Sequence, residues 1–197
     1  MSDTGAVLRS TATRRLWLAA LVLAVLTGIA PAKADPLRFR IQPEASEITF
    51  RATSRLMNAA GHFGRFSGDV VADPGGPAGA RINLTIDAAS IETGIEMRDK
   101  HLRSADFLDI EHFPTIAFQS VRVESAGRRA TVVGRLTLHG VTREIAVPVD
   151  VQITDIALVA SGEFIVNRGE YAMNYNSFLN PIGNEVRVAF TFRARVP

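Results

Sequence analysis

The sequence predicts an all-β protein built on an antiparallel sheet, and three observations support that fold class. Apolar and polar residues alternate with a period of two in most segments after residue 37, as in strands that bury one face. Turn residues separate these segments at hairpin spacing. One stretch, Met97–Ser104, breaks the alternation and favours a short helix. About eight such strands form either a sandwich or a closed barrel, and the alternation alone does not distinguish the two.

The first 34 residues have the pattern of a cleaved export signal. Arg9, Arg14 and Arg15 form a positive region, and an uncharged apolar run follows from Leu16 to Ile29. This run is shorter than the about 20 residues that span a membrane, which favours cleavage over an uncleaved anchor. Cleavage after Ala34 leaves a signal peptide, residues 1–34, and one periplasmic domain, residues 35–197. The arginine pair fits a twin-arginine signal or the ordinary charge of a Sec signal.

The composition excludes several classes of function. The chain has no cysteine, so a disulfide framework, a thiol nucleophile and a thiolate metal site are impossible. Residues 1–34 hold four of the 22 basic residues and one of the 20 acidic ones, which leaves the domain with a net charge of −1. Binding to nucleic acid needs a clustered basic excess, so no nucleic-acid partner is expected.

The first half of the domain contains four predicted strands before the helix. Residues 37–42, 47–52, 65–72 and 80–88 show the alternation, and residues 73–77 form a turn by composition. Residues 58–64 are loose and contain glycine, which predicts a loop or a short helix at one rim.

The helical stretch lies between two strands and predicts a lid on the sheet. Thr93 and Glu96 have the spacing of a capping box at its start. The side chains expected to face inward are Met97, His101 and Leu102, and those expected to face water are Arg98, Lys100 and Arg103.

The second half of the domain reads as a series of hairpins. Turns at residues 125–127 and 139–140 separate strands that begin near Ile116, and Pro148 indicates a sheet edge or bulge. Residues 169–183 form a longer irregular connection. The last run, Val186–Val196, shows the clearest alternation of the chain.

Three segments of the chain resemble one known family. TIDAASIETG, RDKHLRSADFLDIEHFPTIAF and GRLTLHGVTREIAVPV are similar to the YceI family, the polyisoprenoid-binding, lipocalin-like periplasmic proteins. The resemblance covers nearly all of the chain after residue 34. It implies a lipocalin-like antiparallel barrel of about eight strands with a short helical lid, in preference to the sandwich.

The same resemblance implies a binding protein and not an enzyme. Its ligand is an isoprenoid lipid of the polyprenyl or quinone type, held in an apolar cavity, with no other cofactor. Each buried CH₂ contributes about 0.8 kcal/mol, so a long chain binds tightly without any specific polar contact. A carrier of this kind makes transient contact with a membrane surface, as a monomer or a homodimer.

Apolar residues around the lid are the predicted cavity lining. They are Phe63, Phe66, Ile86, Ile91, Leu102, Phe107, Phe113, Phe118, Phe164, Tyr175 and Phe178. Arg98, His101 and Arg103 are the candidates for contact with a polar head group at the mouth. The pattern alone favours an ordinary core over a cavity, so a structural or interaction module with a solid barrel is one alternative.

A periplasmic enzyme that acts on an amphipathic substrate through His101 or His112 is the other alternative. The four histidines lack the spacing of a zinc motif, so no metal site is predicted. The chain contains no Gly-x-Ser-x-Gly elbow and no phosphate-binding glycine loop. Ser104 is close to His101 and Asp106 in sequence, but catalytic sets are recognised by geometry, and Ser104 is expected to cap the next turn.

Overall fold

A computed structural model describes residues 35–197 of the chain, so the predicted signal peptide and its cleavage site lie outside the described residues. Eleven strands, one α-helix and three 3₁₀ turns follow one another. The strands are β1 (Leu37–Ile41), β2 (Glu47–Ser54), β3 (Ala59–Phe63), β4 (Phe66–Asp73), β5 (Gly76–Asp87), β6 (Ile91–Glu92), β7 (Thr115–Ala126), β8 (Arg129–Leu138), β9 (Val141–Ile153), β10 (Ala157–Asn167) and β11 (Ile182–Arg195). The helix α1 is Glu96–Arg103, and the 3₁₀ turns are Pro43–Ala45, Ala88–Ser90 and Arg168–Tyr171.

Eight of these strands close into an antiparallel barrel. Their order is β1-β4-β5-β7-β8-β9-β10-β11, and β11 returns to β1 through the pairs Arg40–Arg195 and Ile41–Ala194. The three remaining strands extend the sheet from the edge of β11 that also pairs with β1: β2 pairs with β11, β3 with β2 and β6 with β3. The predicted barrel of about eight strands with one short helix is therefore confirmed, and the sandwich is excluded.

The last strand of the chain, β11, joins three others. It pairs with β10 along residues 185–195, with β2 along residues 182–191 and with β1 at residues 194–195. Its regular alternation follows from this position, because Val186, Val188, Phe190, Phe192 and Ala194 all belong to the interior.

The prediction of a loop or short helix at residues 58–64 is wrong, because residues 59–63 form β3. This strand pairs with β2 from Thr49–His62 to Ala52–Ala59. Its sequence, AAGHF, consists mostly of small residues and therefore shows little apolar alternation. The glycine is required by close packing: a Cβ at Gly61 would lie 2.3 Å from the carbonyl oxygen of Glu92 and 2.7 Å from Cζ of Phe50.

Aromatic rings fill the barrel away from the helix. Phe190 covers Gly162, where an added Cβ would lie 2.8 Å from its ring. The ring of Phe192 stacks on Phe190 at 4.9 Å between centroids and meets Phe66 edge-on at 5.9 Å. Phe39 is completely buried. This part of the interior is an ordinary packed core. Among residues 35–197, no helix has the length and apolar character needed to cross a membrane.

Candidate functional site: an apolar cavity beside the helix

The barrel contains a cavity of about 440 Å³ next to α1. Residues from the inward faces of the strands form most of its wall: Ile48, Phe50, Ala52, Ile86, Ile116, Leu136, Leu138, Phe164, Val166, Val186 and Val188. Side chains of the helix, of the turn after it and of residues 173–182 form another part: Arg98, His101, Leu102, Phe107, Leu108, Met173, Tyr175, Ser177, Asn180 and Ile182. The remaining lining residues are Thr53, Ser54, Met57, Ala59, Phe63, Ile91 and Arg168. The basic side chains of the lining are Arg98, His101 and Arg168, and no carboxylate is among the lining residues.

Polar contacts with the preceding segment hold α1 in place. The buried carboxylate of Asp99 accepts hydrogen bonds from the backbone N–H of Thr93, at 2.9 Å, and from its hydroxyl. Arg98 Nε donates to the Thr93 hydroxyl oxygen at 2.8 Å. The predicted capping box is therefore wrong: Ile95 is the N-cap residue, without a side-chain bond, and Thr93 instead anchors Asp99.

These contacts set which face of α1 borders the cavity. Leu102 and His101 line it as predicted, but Met97 is 84% exposed, so its inward assignment is wrong. Arg98 lines the cavity and does not face only water. Arg103 is engaged elsewhere, because its guanidinium donates to the carbonyls of Ala89 at 2.9 Å and Ile91 at 2.6 Å.

Three rings connect α1 to the turn after it and to the segment before β11. The ring centroids of His101 and Phe107 lie 5.0 Å apart, those of His101 and Tyr175 4.8 Å, and those of Phe107 and Tyr175 5.2 Å. His101 Nε2 also contacts the Asp106 carboxylate at 2.9 Å. The group forms one aromatic wall of the cavity, and Asp106 is the acidic hydrogen-bond partner of His101.

Arg168 is the strongest polar feature of the site. Its side chain is buried, and it donates to four backbone carbonyls: Met173 at 2.6 Å, Tyr175 at 2.7 Å, Ile182 at 3.0 Å and Gly183 at 3.1 Å. No carboxylate in the described part of the chain forms an ion pair with it. Burial lowers the pKa of this guanidinium below its ordinary value. One side chain thus fixes the path of residues 173–183 along the cavity.

Seven of the apolar residues predicted from the sequence line the cavity. They are Phe63, Ile86, Ile91, Leu102, Phe107, Phe164 and Tyr175. Of the polar candidates at the mouth, Arg98 and His101 line it and Arg103 does not.

Four other predicted lining residues lie elsewhere, and this corrects their assignment. Phe66 packs against Phe192 in the filled part of the barrel. Phe118 covers Gly134, and Phe113 packs edge-on against His139 at 5.0 Å. Phe178 points into solvent, with 95% of its surface exposed.

Sequence reasoning missed two groups of lining residues. Ile48, Phe50, Leu136, Leu138 and Val188 line the cavity, whereas the alternation in the sequence assigns them only to strands. Their period-two face and their position at the same end as α1 were the available signal. Arg168 gave no signal, because its four acceptors are backbone groups brought together by the fold.

The geometry gives no support for the catalytic set Ser104–His101–Asp106. The Ser104 hydroxyl donates to the backbone carbonyl of His101 at 2.8 Å and not to its ring. The N–H of Asp106 donates to the Ser104 hydroxyl oxygen at 3.4 Å, which is the bond expected of a cap of the next turn. His112 lies on the surface with Asp109, whose carboxylate hydrogen bond raises the pKa of the imidazole. Within residues 35–197, no group of three histidine or acidic side chains is placed to hold a metal ion.

Comparison with known proteins gives one consistent result. A UPF0312 protein of Shewanella baltica is 36% identical over 136 residues, which is 68% of this chain and 71% of that protein. Burkholderia cenocepacia BcnA superposes with a TM-score of 0.72 at 24% identity, over 78% of this chain and 98% of that one. A polyisoprenoid-binding domain from Saccharophagus degradans superposes with a TM-score of 0.66 at 19% identity, over 82% of this chain and 99% of that one. These two likenesses establish the fold.

The family relationship rests on the sequence itself. The model of the YceI-like domain matches residues 39–194, which begin inside β1 and end inside β11. This match includes every strand of the closed barrel and the helix beside the cavity. The chain therefore belongs to the family of proteins with a YceI-like domain.

Proposed function

We propose that the protein is exported to the periplasm and there holds or carries an isoprenoid lipid, of the polyprenyl or quinone type, in the cavity beside α1. The observation that supports this most directly is the cavity of about 440 Å³ with an almost wholly apolar wall. This volume falls within the range of about 300–1,000 Å³ found for small-molecule sites. The Saccharophagus degradans domain with the same fold is described as polyisoprenoid-binding.

The arrangement of the wall orients an amphipathic ligand. The strand residues offer apolar surface to a hydrocarbon tail, and each buried CH₂ contributes about 0.8 kcal/mol. Most polar side chains of the lining lie on the helix, at the end of β2 and before β11, among them Arg98, Ser177 and Asn180. A tail therefore enters the barrel and a head group stays beside α1.

We infer binding without catalysis for the same site. Its histidine, His101, packs against two aromatic rings and contacts Asp106, and the Ser104 hydroxyl donates to the backbone carbonyl of His101 and not to its ring. The solid-barrel alternative does not fit a wall that encloses this much empty volume. No observation in the site favours the enzyme alternative.

Native mass spectrometry tests the proposal directly. Protein purified from its own periplasm is expected to carry an apolar adduct whose extracted mass and fragments identify an isoprenoid chain. Recovery of ligand-free protein under gentle purification, or of a lipid without isoprene units, would overturn the assignment.

Replacing Phe107 with alanine is expected to weaken lipid retention more than it weakens the fold. Phe107 lines the cavity, so part of the space that truncation creates already exists. The matched control is Phe39→Ala, at a completely buried position, which is expected to cost about 3–5 kcal/mol. Urea unfolding of the lipid-free proteins and lipid content after purification are the two measurements. Equal destabilisation by both variants, with full lipid retention in Phe107→Ala, contradicts a ligand at this wall.

Amino-terminal sequencing of the periplasmic protein tests the export step. The A-x-A pattern at residues 32–34 places cleavage after Ala34, so the first residue read is expected to be Asp35. Intact chain in the membrane fraction would show that the segment stays attached as an anchor.

A further inference from the structure

Four large apolar side chains stand exposed on two neighbouring loops at the lid end of the barrel. Leu56 and Met57 lie between β2 and β3 and are 72% and 62% exposed, and Phe178 and Leu179 lie before β11 and are 95% and 77% exposed. We call these four residues the apolar rim. A soluble protein that concentrates apolar side chains in this way usually uses them to contact a partner or a membrane.

Two hydrogen bonds join the loops that carry the apolar rim, one accepted by a side chain and one by a backbone carbonyl. The N–H of Leu56 donates to Oδ1 of Asn180 at 2.9 Å, and the N–H of Arg55 donates to the carbonyl of Pro181 at 3.1 Å. Within the second loop, the N–H of Asn180 donates to the Ser177 hydroxyl at 3.2 Å. These hydrogen bonds therefore fix the two loops that carry the exposed side chains.

The apolar rim is continuous with the cavity. Met57 belongs to both, and Ser177 and Asn180, which flank Phe178 and Leu179, also line the cavity. A hydrocarbon chain that leaves the cavity on this side meets exposed apolar surface before it meets water. The apolar rim is therefore suited to contact a surface that can supply a hydrocarbon chain to the cavity or accept one from it.

The charge of the residues around the apolar rim indicates the sign of the charge on the surface that it contacts. Arg55 is exposed beside Leu56, and no described acidic side chain forms an ion pair with it. Residues 54–58 and 172–181 contain no aspartate or glutamate. The two loops together thus carry one positive charge, that of Arg55, and no acidic side chain, within a domain whose net charge is slightly negative. Anionic head groups attract such a segment.

We propose that the apolar rim inserts into the surface of a bilayer that carries anionic lipids, with the cavity mouth turned toward the acyl chains. This docking rests on the proposed carrier function, since it gives the lipid a path between bilayer and barrel that avoids water. Large apolar side chains beside a cation bind such interfaces by combining apolar burial with attraction to anionic lipid.

Two variants, each with one tryptophan in the barrel domain, test the docking. The one tryptophan of the chain is Trp17, so residues 35–197, within which the barrel closes, contain none. Phe178→Trp places a fluorophore on the apolar rim, and Ile156→Trp places one at a 74% exposed apolar position in the β9–β10 turn, at the opposite end of β10 from the cavity. Phosphatidylglycerol vesicles are expected to shift the emission of Phe178→Trp to the blue, and brominated acyl chains are expected to quench it.

Three comparisons decide the outcome. Ile156→Trp is expected to show neither response, and Phe178→Trp is expected to bind pure phosphatidylcholine vesicles about tenfold more weakly, a loss that corresponds to about 1.4 kcal/mol. Equal responses at both positions, or none at Phe178, overturn the docking. A blue shift that grows with protein concentration in the absence of vesicles overturns it in favour of self-association.

Because Phe178 is outside the cavity, Phe178→Asp is expected to lose vesicle binding and keep its co-purified lipid, which separates failure of docking from failure of the carrier function.

Discussion

Replacing Arg168 with methionine is expected to destabilise the protein by about 3 kcal/mol and to release most of its lipid. Methionine keeps an unbranched apolar stem but removes every donor, so the carbonyls of Met173, Tyr175, Ile182 and Gly183 lose their partner. Each buried polar group left unpaired costs about 1–3 kcal/mol. Relaxation of residues 173–183 toward water recovers part of that cost. The same relaxation removes the wall that Tyr175 and Ile182 form.

Two control variants isolate the role of the planar guanidinium group of Arg168. Arg168→Lys keeps the charge but not the fixed geometry of five donors, so it is expected to recover stability only in part. Arg143→Met removes a half-exposed arginine that donates to a single carbonyl, that of Glu170, and is expected to change stability by about 0.5 kcal/mol or less. Urea unfolding and native mass spectrometry give the two readouts. If Arg168→Met unfolds at the wild-type urea concentration, the guanidinium does not hold the segment.

Replacing Val188 with phenylalanine is expected to act in opposite directions on stability and on lipid content. Val188 lines the cavity on β11, between Phe164 of β10 and Phe50 of β2, which are its partners in register. A phenyl ring there fills empty space without adding a polar atom. Filling a cavity commonly stabilises a protein by about 0.5–2 kcal/mol. A ligand that loses contact for about two of its CH₂ groups binds about tenfold more weakly, and the ring displaces more than that.

The outward face of the neighbouring strand provides the control for Val188. Ile165→Phe places the same ring at a half-exposed position on β10 and is expected to alter neither quantity. The measurements are the melting temperature of the lipid-free protein and the lipid-to-protein ratio after purification. A Val188→Phe protein that retains its lipid at the wild-type ratio shows that the ligand binds elsewhere.

The parts of the fold that follow from alternation were predictable, and β3 shows where alternation fails. Val186–Val196 could be assigned because each inward position meets the core. In β3, by contrast, Gly61 is present for close packing against Glu92 and Phe50, and Ala59 and Ala60 offer little apolar contrast. Small residues on both faces of β3 give little contrast between apolar and polar positions, so its sequence resembles a loop.

The same distinction applies to the cavity. Phe107 and Leu102 were predictable, since the helix and its following turn must cover one end of the barrel. Phe178 is 95% exposed because no element packs over this part of the connection before β11, and its residue type alone does not reveal that. Arg168 was missed because its acceptors lie 5 to 15 residues further along the chain and present no side-chain pattern.

The pairing of β11 with β10, β2 and β1 governs the order in which the protein acquires its structure. Synthesis delivers the amino terminus first, so the pairs that β1 and β2 form with β11 are the last that can be made. Pairings between such distant parts of a chain form slowly, because the loop between them must close before the contacts stabilise it. Until residues 182–195 are present, the ring cannot close, so the carboxyl-terminal strand completes the barrel.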